Sequence, residues 1–190
     1  MIKNSDNNLK ILITIAAIGM VLWFGGSIMR GIVAYDMFEP TTESMSRKVA
    51  DPVRTYAGIY YFSSMAVYTA AGFITAFISI IVINIKLRKS IKKLGWLFMV
   101  FVLFYFTVPI ESIRIWYDVN LSIAIFQDGI KDVTNIAIEE YFFERYESNL
   151  LTTIFTLSMM ANLTALIYLI WRPLDRNRLK EDIDESKANT

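Results

Sequence analysis

Four stretches of this chain, residues 11–29, 57–85, 94–110 and 149–171, contain no Asp, Glu, Lys or Arg. A helix needs about 20 consecutive apolar residues to cross the hydrocarbon of a bilayer, within a range of roughly 17 to 25. All four stretches reach that length. A soluble fold would have to hide all four behind polar surface, and a chain of 190 residues has little of it to spare. Lipid is therefore the expected solvent. The expected fold class is all-α, a four-helix transmembrane bundle with spans at about 11–30, 55–86, 94–117 and 148–171. These make one membrane domain over residues 1–174. The charged tail from Asp175 to the C-terminus reads as disordered.

The charges between the runs set the orientation. Lys3 and Lys10 precede the first run, Lys86, Arg88, Lys89, Lys92 and Lys93 crowd the turn after the second, and Arg172, Arg176, Arg178 and Lys180 follow the fourth. The other two connections are rich in acids: Asp36, Glu39, Glu43 and Asp51 in residues 30–56, and eight carboxylates in residues 111–148. Basic flanks stay cytoplasmic. Both termini are expected inside and the two long loops outside, in a bacterial-type cytoplasmic membrane. The basic turn reads as a topology signal, and no nucleic acid is expected as a partner. The first run is longer than the 7–15 residues usual in a signal peptide, so it is expected to remain as an uncleaved span.

Composition removes several chemistries. The chain has no Cys and no His. Disulfides, thiolate metal sites and imidazole ligation of haem or copper are excluded within it. No phosphate-binding glycine loop, zinc pattern or nucleophile elbow is present. No cofactor, no metal and no enzymatic activity are expected.

The candidate site lies where the third run ends. Glu111, Arg114 and Asp118 are spaced three and four apart, which places them on one helix face as an acid–base–acid ladder. Arg30 ends the first run and Asp36 follows it. Either Arg30 turns inward to meet Glu111 or it snorkels to headgroups. The five residues form an expected interfacial charge cluster, with Arg30 and Arg114 pairing with Glu111, Asp118 or Asp36. Pro109, one turn earlier, frees the carbonyl of Tyr105. Asn162 sits near mid-membrane, where an amide seeks an interhelical hydrogen bond. Gly25 and Gly26 in the first span, and the pairs Ala66/Ala70 and Gly72/Ala76 in the second, are candidate close-packing positions.

The outer loops are expected to fold into a small helical cap. Thr42 would cap a helix through Val49, with Glu43 near its positive end. Asp51-Pro52 marks the start of the second span. A helix is expected over about 131–146, with strands around Asp128-Gly129 as the alternative. Tyr141, Phe142, Phe143 and Tyr146 would form an aromatic belt.

The function these features favour is a non-catalytic membrane subunit or scaffold. It would dock other membrane subunits, or a second copy of itself, through the cap and the small-residue helix faces. The alternative is an oligomeric ion or small-solute channel or transporter using Glu111 and its neighbouring charges.

Overall fold

The buried positions of the long helices advance along the chain by alternating threes and fours. In α1 (Ile2–Tyr35) they are Ile13, Ala16, Met20, Trp23, Ser27, Arg30 and Ala34. In α2 (Pro52–Leu87) they include Ile59, Phe62, Ala66, Thr69, Phe73, Ala76, Ile80 and Ile83. In α3 (Gly95–Phe126) the run is Leu97, Val100, Phe104, Thr107, Glu111, Arg114, Asp118, Leu121 and Ile125. In the last long helix, Asn149–Trp171, it is Ser158, Asn162, Ala165 and Leu169. A seven-residue repeat of this kind keeps one face of each helix turned toward its neighbours over many turns.

This is a computed structural model, and it describes residues 2–40, 45–48, 51–88, 91 and 94–171. The four long helices are each long and apolar enough to cross a membrane. Their remaining faces are apolar too: Ile18, Leu22, Val67, Ile78, Phe106, Leu157 and Met160 are all exposed. A helix that is apolar all round belongs in a large core or in lipid. The four apolar helices are compatible with a multi-pass membrane protein.

The helices pack as two pairs. The α1–α2 contact is the most extensive and the contact of α3 with the last long helix is next. Contacts between the pairs are sparser. The α1–α2 crossing is tight because two glycines meet there. A Cβ on Gly19 would lie 2.7 Å from the Gly72 carbonyl oxygen, and one on Gly72 would lie 2.8 Å from the Gly19 carbonyl oxygen. Gly72 and Ala76 lie in this crossing and Gly26 lies against Thr69, but Gly25 has nothing within 4 Å. The small residue that α1 presents to α2 is Gly19, because it falls on the inward face and Gly25 does not.

α2 starts where the sequence places it. The Asp51 side chain accepts from the Val53 backbone nitrogen at 3.2 Å, and Pro52 occupies the first turn. The ends of the other spans differ from expectation. α1 continues to Tyr35, and α3 runs nine residues beyond 117 to Phe126. Charged residues near a run normally mark the water boundary, but here Glu111, Arg114 and Asp118 are buried, so they do not end the span. Pro109 lies inside α3, which continues through it. Gly129, with φ of 65°, then turns the chain in a conformation that a side chain would strain.

The cap is only partly helical. Strand β1 (Phe38–Pro40) pairs antiparallel with β2 (Met45–Arg47), Phe38 opposite Arg47. This hairpin replaces the helix expected from Thr42 to Val49; Thr42, Glu43 and Val49 themselves lie outside the described residues. The hairpin sets Phe38 into the cap core, where a helix would have had only a polar and sparse apolar stripe to offer. The second loop forms α4 (Ile136–Ile138), a π-helical segment (Glu139–Phe143) and α5 (Glu144–Glu147). It begins later than expected because Asn135, not Lys131, caps it, accepting from the Ala137 nitrogen at 2.9 Å. No strand forms around Asp128-Gly129. The long helix Asn149–Trp171 is α6. The expected disordered tail lies outside the described residues.

Candidate functional site

Two apolar cores are stacked along the bundle. One holds Trp23, Phe73, Ala76, Ile80, Leu97, Val100, Phe104, Ala165 and Leu169. The other, at the cap end, holds Ala34, Phe38, Ile59, Phe62, Leu121, Ile125, Ile138, Phe142 and Phe143. The inward stripes of α1, α3 and α6 turn polar at the level between them. Ser27 and Arg30, Thr107 to Asp118, and Ser158 and Asn162 meet there as one buried layer.

Asp118 is the centre of that layer. Its Oδ2 accepts from Arg30 Nη1 at 2.8 Å, and Arg30 Nη2 donates to Oδ1, giving a bidentate pair. The same Oδ1 accepts from Arg145 Nη1 of α5 at 2.7 Å. The Arg30 guanidinium also lies 4.1 Å above the Phe62 ring, so α2 joins the cluster through a cation–π contact. Arg30 is 1% exposed and Arg145 3%. Pairing alone makes such burial tolerable, since a lone buried ion costs several kcal/mol.

Glu111 is the second hub. Its Oε1 accepts from Ser158 Oγ of α6 at 2.7 Å. Its Oε2 accepts from Trp23 Nε1 of α1 at 2.9 Å and, at 3.5 Å, from Arg114 Nη1. Arg114 Nη2 donates to Ser27 Oγ at 2.9 Å. One turn away, Thr107 Oγ1 lies 3.0 Å from Asn162 Oδ1 and 2.8 Å from the Phe104 carbonyl. The Trp23–Glu111 and Arg114–Ser27 bonds cross between the two helix pairs, while Ser158–Glu111 and Thr107–Asn162 tie α3 to α6 within one pair.

Four of the five expected cluster residues therefore come together: Arg30, Glu111, Arg114 and Asp118. Arg30 meets Asp118 rather than Glu111 and does not reach for headgroups. Asp36 is not a member. It lies beyond the last turn of α1 and pairs with exposed Arg54 at 2.8 Å. The layer is also interior, where the sequence suggested a rim. Trp23, Ser27, Ser158 and Arg145 are members that sequence reasoning missed. The alternating spacing would have found the first three, since each falls on the inward stripe. Arg145 gives a fainter signal: one base among acids, flanked by Phe142, Phe143 and Tyr146.

The cap carries a second, exposed network. Arg47 Nε donates to Glu147 Oε1 at 2.6 Å and Arg47 Nη1 to Glu139 Oε2 at 2.7 Å, while its guanidinium lies 4.0 Å over Phe143. Bonding to Arg47 holds the Glu139 carboxyl below the usual carboxylate range, and the same bond raises Arg47 above its ordinary value. The Thr134 backbone N–H and hydroxyl lower Asp132 in the same way.

A cleft of about 350 Å³ opens between α1 and α6 beside the buried layer, reaching Arg114 and Arg145. A smaller one of about 240 Å³ lies on the other side, between α2 and α3, walled by Ala66, Val67, Ala70, Val119 and Phe126. Ala66 and Ala70 thus border this groove, with Ala66 buried. Among the described residues no group of three or more Asp or Glu side chains is placed to hold a metal ion. The chain matches no family model, no curated protein and no solved structure.

Proposed function

We propose that this chain is a non-catalytic subunit or scaffold of a cytoplasmic-type membrane, with both termini inside and the cap outside, that docks a partner protein through the cap. One observation carries the reading. Arg145 of the cap is anchored on Asp118 of α3, deep in the bundle. The cap is thereby held as a fixed surface on the membrane domain, and a preorganised surface loses little entropy when a partner binds. That surface exposes Ile136, at 80%, beside the Arg47–Glu139–Glu147 network. Gly25, exposed on α1 and uncontacted, leaves room for a neighbouring helix or a second copy.

The test is native mass measurement after gentle detergent extraction. Ile136→Asp touches no internal contact, so thermal stability should hold while the co-purifying partner is lost. An unchanged complex mass would overturn the proposal. An oligomeric channel or transporter through Glu111 has weaker support, because Trp23, Ser158 and Arg114 hold both of its oxygens. Flux through proteoliposomes that Glu111→Gln abolishes would reverse that order.

A further inference from the structure

The buried layer does not balance. Its buried charged residues are Arg30, Arg114 and Arg145 against Glu111 and Asp118, which leaves one positive charge over. Arg30 is held bidentate by both oxygens of Asp118 and lies over the Phe62 face, although its buried Nε has no hydrogen-bond partner among the described residues. Arg145 lies among the Tyr146 and Phe155 rings but shares Asp118 Oδ1 with Arg30, has no carboxylate oxygen to itself, and its buried Nε likewise has no hydrogen-bond partner among the described residues. Arg114 reaches Glu111 only at 3.5 Å, and that carboxylate is already held by Trp23 and Ser158. The surplus therefore rests on Arg114 and Arg145. These are the two arginines that line the cleft between α1 and α6.

The rest of the cleft is amphiphilic. Tyr35, Tyr146 and Thr152 border it on the cap side, and Ile28, Ile32, Phe155 and Met159 supply apolar wall. Ile28 and Ile32 are also exposed on the outer face of α1, where lipid would lie, so the cleft opens sideways toward the bilayer. The groove on the opposite side meets Asp118, whose charge is already spent on two arginines, and its wall is otherwise almost wholly apolar. Only the α1–α6 side offers unspent positive charge.

We propose that this cleft binds the phosphate or carboxylate headgroup of an anionic membrane lipid, with the acyl portion lying along Ile28, Ile32 and Met159. Guanidinium groups match such oxyanions in bidentate geometry. A single negative charge there neutralises the layer, and a buried layer that is neutral is the stable one. The inference is independent of the docking proposal, because a variant can lose the partner and keep the lipid.

The test uses the full chain in nanodiscs containing equal phosphatidylglycerol and phosphatidylcholine, released for native mass spectrometry. Wild type should retain phosphatidylglycerol in preference by about tenfold. Arg114→Gln should erase the preference. Gly31→Leu fills the cleft without touching the charges, since a Cβ there meets nothing nearer than Tyr35 at 4.0 Å, and it should release the lipid from a folded protein. Equal retention of the two lipids would overturn the proposal, as would Gly31→Leu holding phosphatidylglycerol like wild type. A second arm adds excess inorganic phosphate. Retention unaffected by phosphate supports the lipid, whereas loss of the lipid adduct to phosphate would reassign the site to a soluble anion and overturn it.

Discussion

Asp118 is the residue on which most depends. It is one carboxylate answering two buried arginines that come from different parts of the chain, Arg30 in α1 and Arg145 in the cap. Asp118→Asn keeps the shape but strands both cations. Breaking a buried pair in this way costs about 3–5 kcal/mol, so reversible unfolding in mixed micelles should show a loss of that size. Asp118→Glu should be milder, because the charge survives and only the reach changes. The exposed Arg47 network gives the contrast. Arg47→Ala should cost no more than about 1 kcal/mol, since solvent screens a pair a third exposed. Its pH dependence has a definite sign. The folded-state pKa of Glu139 is depressed by Arg47, so its contribution is complete above the unfolded value of about 4.3 and is lost as pH falls through the folded value. Protection factors of cap amides, corrected for intrinsic exchange, should therefore fall below about pH 4.3 in wild type and change less in Arg47→Ala.

For the elements, the decisive contact is the α1–α2 crossing. Gly19→Val would drive a side chain into the Gly72 carbonyl and the Ala76 nitrogen, both backbone atoms that cannot step aside. Overpacking of this kind costs about 1–3 kcal/mol, and a cysteine pair across the crossing should crosslink less efficiently. Gly25→Ala, six residues along the same helix, meets nothing and should stay within about 0.5 kcal/mol of wild type. The existence of the four helices was legible because length and absence of charge suffice to announce a span. Their ends were not. The rule that charge marks the water boundary fails when the charges are paired inside, and in α3 it stopped the span at about 117 when the helix reaches Phe126. The hairpin of Phe38–Pro40 with Met45–Arg47 was also hidden. Three-residue strands carry too little alternation to be heard over the capping signal of Thr42.

At the level of the whole molecule, the site was half legible. The ladder on α3 could be seen because helical spacing is local. The choice of Asp118 over Glu111 as the mate of Arg30 could not, because it depends on how far α1 and α3 are offset along their axes. Membership of Arg145 depends on where the chain, 19 residues past the end of α3 at Phe126, returns to the bundle, which no local pattern encodes. Once the helices are aligned, the arrangement is self-consistent: apolar core, polar layer, apolar core. A slip of one turn between the pairs would part Arg30 from Asp118 and leave Asp118 with Arg145 alone, so the layer fixes register as well as stability. Replacing Arg30, Asp118 and Arg145 together by Met, Leu and Met should restore or raise stability relative to Asp118→Asn, while disulfide trapping between α1 and α3 should report more than one alignment.

Arg30 leaves the ribosome long before its mate does, since it lies 88 positions ahead of Asp118. During synthesis an inserting first helix thus carries an unpaired cation near its C-terminal end, at a penalty below the roughly 2.5–3.5 kcal/mol that an arginine costs at the helix centre. Until the third helix arrives that penalty is unrelieved, and a nascent chain stalled halfway is electrically marked as unfinished.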